Sequence, residues 1–420
     1  GMKRYLRELK PTSFDDIIAM VALYRPGPMQ FITEFIDRKH GRKQIQYLHP
    51  GMESSLKNTY GILVYQEQFM QISKEWCGFS GGQADTLRKA VGKKNIDLMR
   101  KVKIDFVEGA IKTSGASREI AEKFWDQLEE FANYCFNKSH AACYGLIAYW
   151  TAYLKAHYPD AFMAALMTSD ADDIDRLSIE IAECRKMGVE VLLPDVNESF
   201  VEFGILKDQK QIRFGMSAVK NVGVGAVEEI IRAREEGGHF KNLMDFIQRV
   251  DTRKVNRKVW ESLIKSGGFD SMGETRGNLL FNLDAILGLG TKIHKDKETN
   301  QADIFGGLDT AAPSVAPQFK FETAPEQLKE HDMLLYEREL LGLYLSRHPL
   351  DGFGDYLEEN TVAISEINST MDNKAVTIGG VVSTIRSITT KNGARMAFVK
   401  IEDKTGECEL IVFPSVYEKL

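Results

Sequence analysis

Positions 88 to 103 carry seven cationic side chains (Arg88, Lys89, Lys93, Lys94, Arg100, Lys101 and Lys103) against one acid, Asp97. Arg88 and Lys89 precede Gly92, and Lys93 and Lys94 follow it, so several cations can converge on one anion without two rigid helices colliding. A triphosphate or a nucleic-acid backbone is the natural guest. The same spacing also fits a solvated basic helix end, where cations are favourable in any case. A further cation, Arg25, sits in YRPGPM (24–29), where Pro26 and Pro28 stiffen the backbone that carries it; a stiff connector would use the same residues. Asn137, Lys138, Ser139 and His140 form a polar cluster ahead of a long apolar helix, at the end where free amides favour an anion. His140 has no identifiable carboxylate partner, which suits a structural histidine better than a general base.

A different chemistry is suggested by VKNVGVGAVEEIIRARE (219–235), in which Gly223 and Gly225 lead directly into an amphipathic helix. This is the form of a helix-hairpin-helix turn, whose glycines let the backbone approach a phosphate and present amides at the helix start. Such a contact is blind to sequence, because it touches the DNA backbone and not the base edges. Lys220 adds charge beside it. A degenerate repeat follows at 255–273, with an SGG turn and the cations Arg253, Lys254, Arg257 and Lys258 at its upstream end. The alternative is a purely structural turn. At 301–305, Gln301, Ala302, Asp303, Ile304 and Phe305 place an apolar-aromatic pair in a Gly/Pro/Ala/Thr-rich stretch. This is the form of a docking peptide, with Gln at a rim and Ile and Phe in an apolar pocket; local burial of a loop anchor is the other reading.

These residues need elements to hold them. A chain of 420 residues with 43% apolar and 27% charged content is a multidomain globular protein. Its formal net charge of -6 excludes a basic DNA-coating protein, so a nucleic-acid role rests on local patches. The five cysteines (77, 135, 143, 184 and 408) form no CxxC pair and read as reduced residues of a cytoplasmic protein. No stretch approaches a membrane span. The pattern predicts helices over 3–24 broken near Pro11, with Ser13 as N-cap, then 31–41, 83–112 interrupted at Gly92, and 117–135. The apolar helix over 136–167, broken at Pro159, is expected to be the buried spine of the first domain. Strands are expected near 190 and in a small hairpin at 201–219. A linker is expected over 288–329, an amphipathic helix over 333–350, and three alternating strands at 374–390, 394–403 and 406–414 that read as the opening of an OB-fold.

In combination the motifs resemble the family of bacterial DNA polymerase III alpha subunits, the C-family replicative polymerases. The carriers are YRPGPM, FIDRKHG (35–41), TYGILVYQEQFMQI (59–72), LRKAVGKK (87–94), FNKSHAACYGLIAYWTAYLKAHYP (136–159), GVGAVEEIIRARE (223–235), LIKSGGFD (263–270), QADIF and ERELLGLYLSRHP (337–349), in order along nearly the whole chain. The resemblance implies a mostly α-helical fingers domain (1–205), a tandem helix-hairpin-helix region (206–287), a linker with a sliding-clamp-binding motif (288–330), a helical connector (331–372) and an incomplete OB-fold β-barrel (373–420). It assigns Arg88 and Lys89 to the incoming deoxynucleoside triphosphate, Lys89 standing where the family commonly has a second arginine. Arg25, Lys93, Lys94 and residues 137–140 are implied to lie near nucleotide and template. Expected partners are primer-template DNA, the nucleotide, the sliding clamp and other replicase subunits. The palm carboxylates that hold Mg2+ are expected upstream, outside this chain, so the isolated chain is expected not to polymerise. A noncatalytic DNA-binding or scaffold protein on the same architecture is the alternative.

Overall fold

The computed structural model describes residues 1–92, 96–131, 135–206, 209–299, 322–390 and 392–419. Lys93, Lys94 and the motif at 301–305 lie outside the described residues. The chain divides into two compact units, Gly1–Ala156 and His157–Leu420.

In the first unit, Pro11 and the polar Thr12 and Ser13 separate α1 (Met2–Leu9) from α2 (Phe14–Leu23). Asp16, in the first turn of α2, reaches back to accept from the backbone N–H groups of Thr12 (2.9 Å) and Ser13 (3.1 Å). It is buried, pairs with Lys39 and accepts from the Tyr60 hydroxyl at 3.0 Å. Burial alone would raise its pKa; Lys39 and the amides outweigh this and hold it below the usual carboxylate range. The helix α3 (Ile32–Lys39) packs Ile32, Phe35 and Ile36 onto the same core as Leu9 and Met20, and Gly41 (φ 70°) ends it. After the single turn α4 (Glu53–Leu56), α5 (Gln66–Glu75), α6 (Gly81–Gly92), α7 (Ile96–Ser114) and α8 (Arg118–Phe131) enclose a second core. Trp76, Phe106, Phe124 and Trp125 meet there with ring centroids 5.3–6.0 Å apart. The helix α6 opens at Gly81, two residues ahead of the expected start at 83.

The helix α9 (Lys138–His157) contradicts the expectation of a buried spine. Only Ala141 and Gly145 are buried, while Tyr144, Ile147, Tyr149, Trp150, Tyr153 and Leu154 are exposed. The helix meets α2 through Gly145, which lies against Ile18, and through Tyr149, whose ring centroid is 6.4 Å from that of Phe14, so most of its large apolar side chains are left uncovered. Apolar composition permits burial but does not supply a covering surface.

The second unit begins with α10 (Pro159–Ser169) and α11 (Ile174–Lys186), the latter capped by Asp173. The strands β1 (Glu190–Leu192), β2 (Gly204–Leu206) and β3 (Gln211–Arg213) form a sheet of order β1-β3-β2, with the expected antiparallel hairpin and β1 parallel to β3. The helices α12 (Val224–Gly237), α13 (Leu243–Arg249), α14 (Arg257–Lys265), α15 (Arg276–Phe281) and α16 (Leu283–Thr299) close over Phe246, Trp260 and Phe269. The helix α16 corrects the linker expectation at its start. Residues 288–299 are helical, because Leu283, Ile286, Leu287, Leu289 and Ile293 keep helical spacing against that core despite Gly288 and Gly290. The helix α17 (Glu330–Leu341) ends earlier than expected, at Gly342 with φ 81°, and Leu343 and Leu345 enter the core from a non-helical segment. Beyond α18 (Gly354–Asn360), β4 (Val381–Thr389), β5 (Arg395–Glu402) and β6 (Glu407–Val412) form an antiparallel meander with an irregularity between Val382 and Thr384, followed by α19 (Pro414–Tyr417). These are the three strands expected of an incomplete OB barrel.

Candidate nucleotide and nucleic-acid interfaces

The helix α6 buries Ala84, Leu87, Ala90 and Val91, which turns Asp85, Arg88 and Lys89 outward. Asp85 Oδ1 accepts from Arg88 Nε at 2.9 Å and Nη2 at 2.8 Å, and Asp85 Oδ2 lies 2.9 Å from Lys89 Nζ. The two cations thus share one acid, and Lys89 first and Arg88 second hold the Asp85 carboxyl below its usual range. Asp85 escaped the sequence reading, although its i,i+3 and i,i+4 spacing to the pair was the available signal.

Arg25 donates from Nε to the Ala22 carbonyl at 3.1 Å, and its guanidinium lies 4.3 Å from the centre of the Phe136 ring. Phe136 forms a parallel bridge with Tyr65, and the next residues begin α9, so Arg25 stands against the residue that precedes the 137–140 cluster. Two of the amides expected to await an anion there are engaged. The Lys138 N–H donates to Glu67 and the His140 N–H to Asn137. The Lys138 ammonium lies 3.4 Å from Asp15, while Ser139 and His140 remain exposed. A carboxylate drawn from α5 could not be found from local spacing.

In the second unit, Gly223 caps α12 with an ordinary φ of -80° and without a side-chain hydrogen bond. Gly223, Val224 and Gly225 are exposed, and a Cβ placed on either glycine would meet nothing within 4 Å. The N–H groups of Val224 and Gly225 face out of the helix start with no intrahelical acceptor. Lys220 is exposed beside them.

The second, degenerate turn differs. Gly267 has φ 92°, the Arg276 guanidinium grips Asp270 at 2.6 and 2.9 Å and donates to the Lys265 carbonyl at 3.0 Å, and the Gly268 carbonyl accepts from Val196 N–H at 2.9 Å. The cations upstream are largely committed. Lys254 lies 2.9 Å from the buried carboxylate of Glu229, which also binds Arg232. Arg253 pairs with Asp251 at 2.8 Å and Arg257 with Asp284. Among the described residues Lys258 forms no ion pair. Burial pushes Glu229 up, but Arg232 and Lys254 outweigh it and hold the carboxyl low.

Among the described residues no group of three or more His, Cys, Asp or Glu side chains converges as a metal site. No described helix is long and apolar enough to cross a membrane.

Comparison with known proteins matches this layout. A family described as the bacterial DNA polymerase III alpha subunit finger domain covers residues 1–114, a helix-hairpin-helix motif residues 188–279, and an OB-fold nucleic acid binding domain residues 376–420. Fingers, hairpins and an OB strand meander in this order define a polypeptide of the C-family replicative polymerase class. The chain is 43% identical over 425 residues to DNA polymerase III subunit alpha of Borreliella burgdorferi, covering 100% of this chain and 36% of that protein. The corresponding proteins of Aquifex aeolicus and Escherichia coli K12 are each 41% identical, over 100% of this chain and 34% and 36% of theirs. The chain belongs to the DNA polymerase III alpha subunit family, as its fingers, helix-hairpin-helix and OB region, and spans about a third of the length of those relatives.

Proposed function

We propose that this chain serves template-directed DNA synthesis from deoxynucleoside triphosphates, with release of pyrophosphate, as the part of a DNA-directed DNA polymerase that clamps the nucleotide and grips DNA. The observation that carries the reading is the outward-facing Arg88 and Lys89 pair on a helix matched to the fingers family. Arg88, Lys89 and Arg25, with Lys93 and Lys94, neutralise the triphosphate. Residues 137–140 lie beside nucleotide or template. Lys220, Gly223 and Gly225 take the duplex backbone, with Arg253, Lys254, Arg257 and Lys258 contributing charge as far as their internal partners release it. The motif at 301–305 docks a sliding clamp, and further replicase subunits complete a cytoplasmic assembly. Mg2+ ligated by other residues of the polymerase would supply Lewis-acid stabilisation of the transferring phosphate, and the 420-residue chain alone is expected not to extend a primer.

In the complete polymerase, Arg88→Ala should cost about 2–4 kcal/mol of transition-state stabilisation, read as kcat/KM for nucleotide. Lys89→Ala should cost less, because a lysine makes a point contact where arginine makes a fork. An unchanged kcat/KM in Arg88→Ala rules out the nucleotide role.

A further inference from the structure

Glu67, in the first turn of α5, has no part in the roles assigned so far. Its carboxylate reaches residues far along the chain. Oε1 accepts from Asn137 Nδ2 at 2.9 Å, and Oε2 accepts from the Lys138 backbone N–H at 2.9 Å. Asn137 Oδ1 then accepts from the His140 N–H at 2.8 Å. Backbone bonds stitch the same junction, from Gln66 N–H to the Phe136 carbonyl at 2.8 Å and from Phe136 N–H to the Val64 carbonyl at 3.4 Å. Those backbone bonds set where Phe136 lies, but they do not set the rotation of the Asn137 side chain or the first turn of α9.

A carboxylate settles both. It only accepts, so it requires the NH2 of Asn137 on its own side and turns the amide oxygen toward His140. It also supplies the negative charge favoured at the start of α9. The helix start therefore receives its anion from within, and the outward offering of the cluster is the exposed Ser139 and His140 side chains. We infer that Glu67 is a positioning residue for the nucleotide-facing cluster at 137–140, acting through Asn137 and the start of α9 without touching the nucleotide. This rests on the reading of 137–140 given under the proposed function.

The test is steady-state kinetics on the complete polymerase carrying Glu67→Ala, Glu67→Gln, Asn137→Ala or the Glu67→Ala/Asn137→Ala pair, each beside a thermal melt and the Arg88→Ala reference. Glu67→Ala should raise KM for nucleotide about tenfold, as expected for losing a charge-assisted bond and its relay, and change kcat by less than about threefold. Glu67→Gln, which keeps one acceptor, should recover most of the loss. The double variant should be no worse than the more damaging single one, because both act on one relay. An unchanged KM in a folded Glu67→Ala variant overturns the inference, and so do additive effects or a loss that follows the melting temperature in both Glu67 variants. The two readings fail separately. Arg88→Ala damaging nucleotide use while Glu67→Ala is silent removes Glu67 alone, whereas a raised KM in Glu67→Ala with Arg88→Ala silent keeps Glu67 and removes the assignment of Arg88.

Discussion

A side chain built onto Gly223 or Gly225 would meet open space, whereas one built onto Gly267 would lie 2.5 Å from Arg276 Nη2 and 2.9 Å from Asp270 Oδ2. Gly267 also has φ 92°, which a side chain tolerates poorly, while Gly223 has φ -80°. The second turn needs glycine for reasons inside the protein. At the first turn no neighbour among the described residues and no unusual backbone angle at Gly223 demands it, and the open space there suits the close approach of a phosphate backbone proposed above. The cations divide in the same way. Lys220 stands exposed beside the first turn, whereas Arg253, Lys254 and Arg257 near the second are paired with Asp251, Glu229 and Asp284. Glycine and lysine content alone does not separate a grip from a brace; the separation lies in what each residue already touches.

The largest effect should come from Gly267→Val, which forces a left-handed backbone and displaces the Arg276–Asp270 pair. A loss of about 3–5 kcal/mol is expected in urea denaturation. An unfolding midpoint equal to wild type would erase the distinction between the two turns.

A pH experiment can move stability without touching the phosphate-facing groups. Glu180 is buried in α11, its Oε2 has no partner among the described residues, and its pKa is pushed up to about 7, by burial first and Asp170 second. Between its ordinary 4.5 and about 7 the folded state holds the extra proton, so this contribution is fully present below 4.5 and is lost as pH rises through 7. Wild type should be more stable at pH 5.5 than at pH 8 by about 1–2 kcal/mol relative to Glu180→Gln, measured as the difference between their denaturation curves. Equal pH dependence in the two proteins would remove Glu180 as the cause.

The smallest effects belong to single cations. Lys220→Ala and Lys258→Ala should each lower the salt slope of duplex binding by about one. Arg253→Ala and Lys254→Ala should change it less, since a phosphate must first displace a carboxylate. Equal slopes for all four variants would show that the internal pairs do not matter.

Local pattern carried much of the fold. Pro11 and Ser13 marked the entry to α2, Gly41 the end of α3, and alternation marked β4 to β6. Candidate site residues with local logic, Arg88 and Lys89 on the outer face of α6 and Gly223 at the start of α12, could be placed from local spacing too. What stayed hidden depends on partners distant in the chain. Glu67 meets Asn137 seventy residues on, Lys254, in the turn before α14, is held by Glu229 from α12, and the exposure of Trp150 depends on whether any surface reaches α9. The helical start of 288–329 was missed for another reason: two glycines and a polar end outweighed an apolar spacing that tertiary packing later rewarded.

Whether the first hairpin offers its backbone to DNA can be read by titrating a duplex with wild type and Gly225→Val at several salt concentrations. The variant should keep its unfolding midpoint within about 1 kcal/mol, since the added side chain meets open space. Its affinity should fall about tenfold on duplexes of unrelated sequence, through lost close approach to phosphate. Wild-type binding should weaken steeply with salt. A folded Gly225→Val protein that binds as wild type does, or wild-type binding indifferent to salt, would contradict the account.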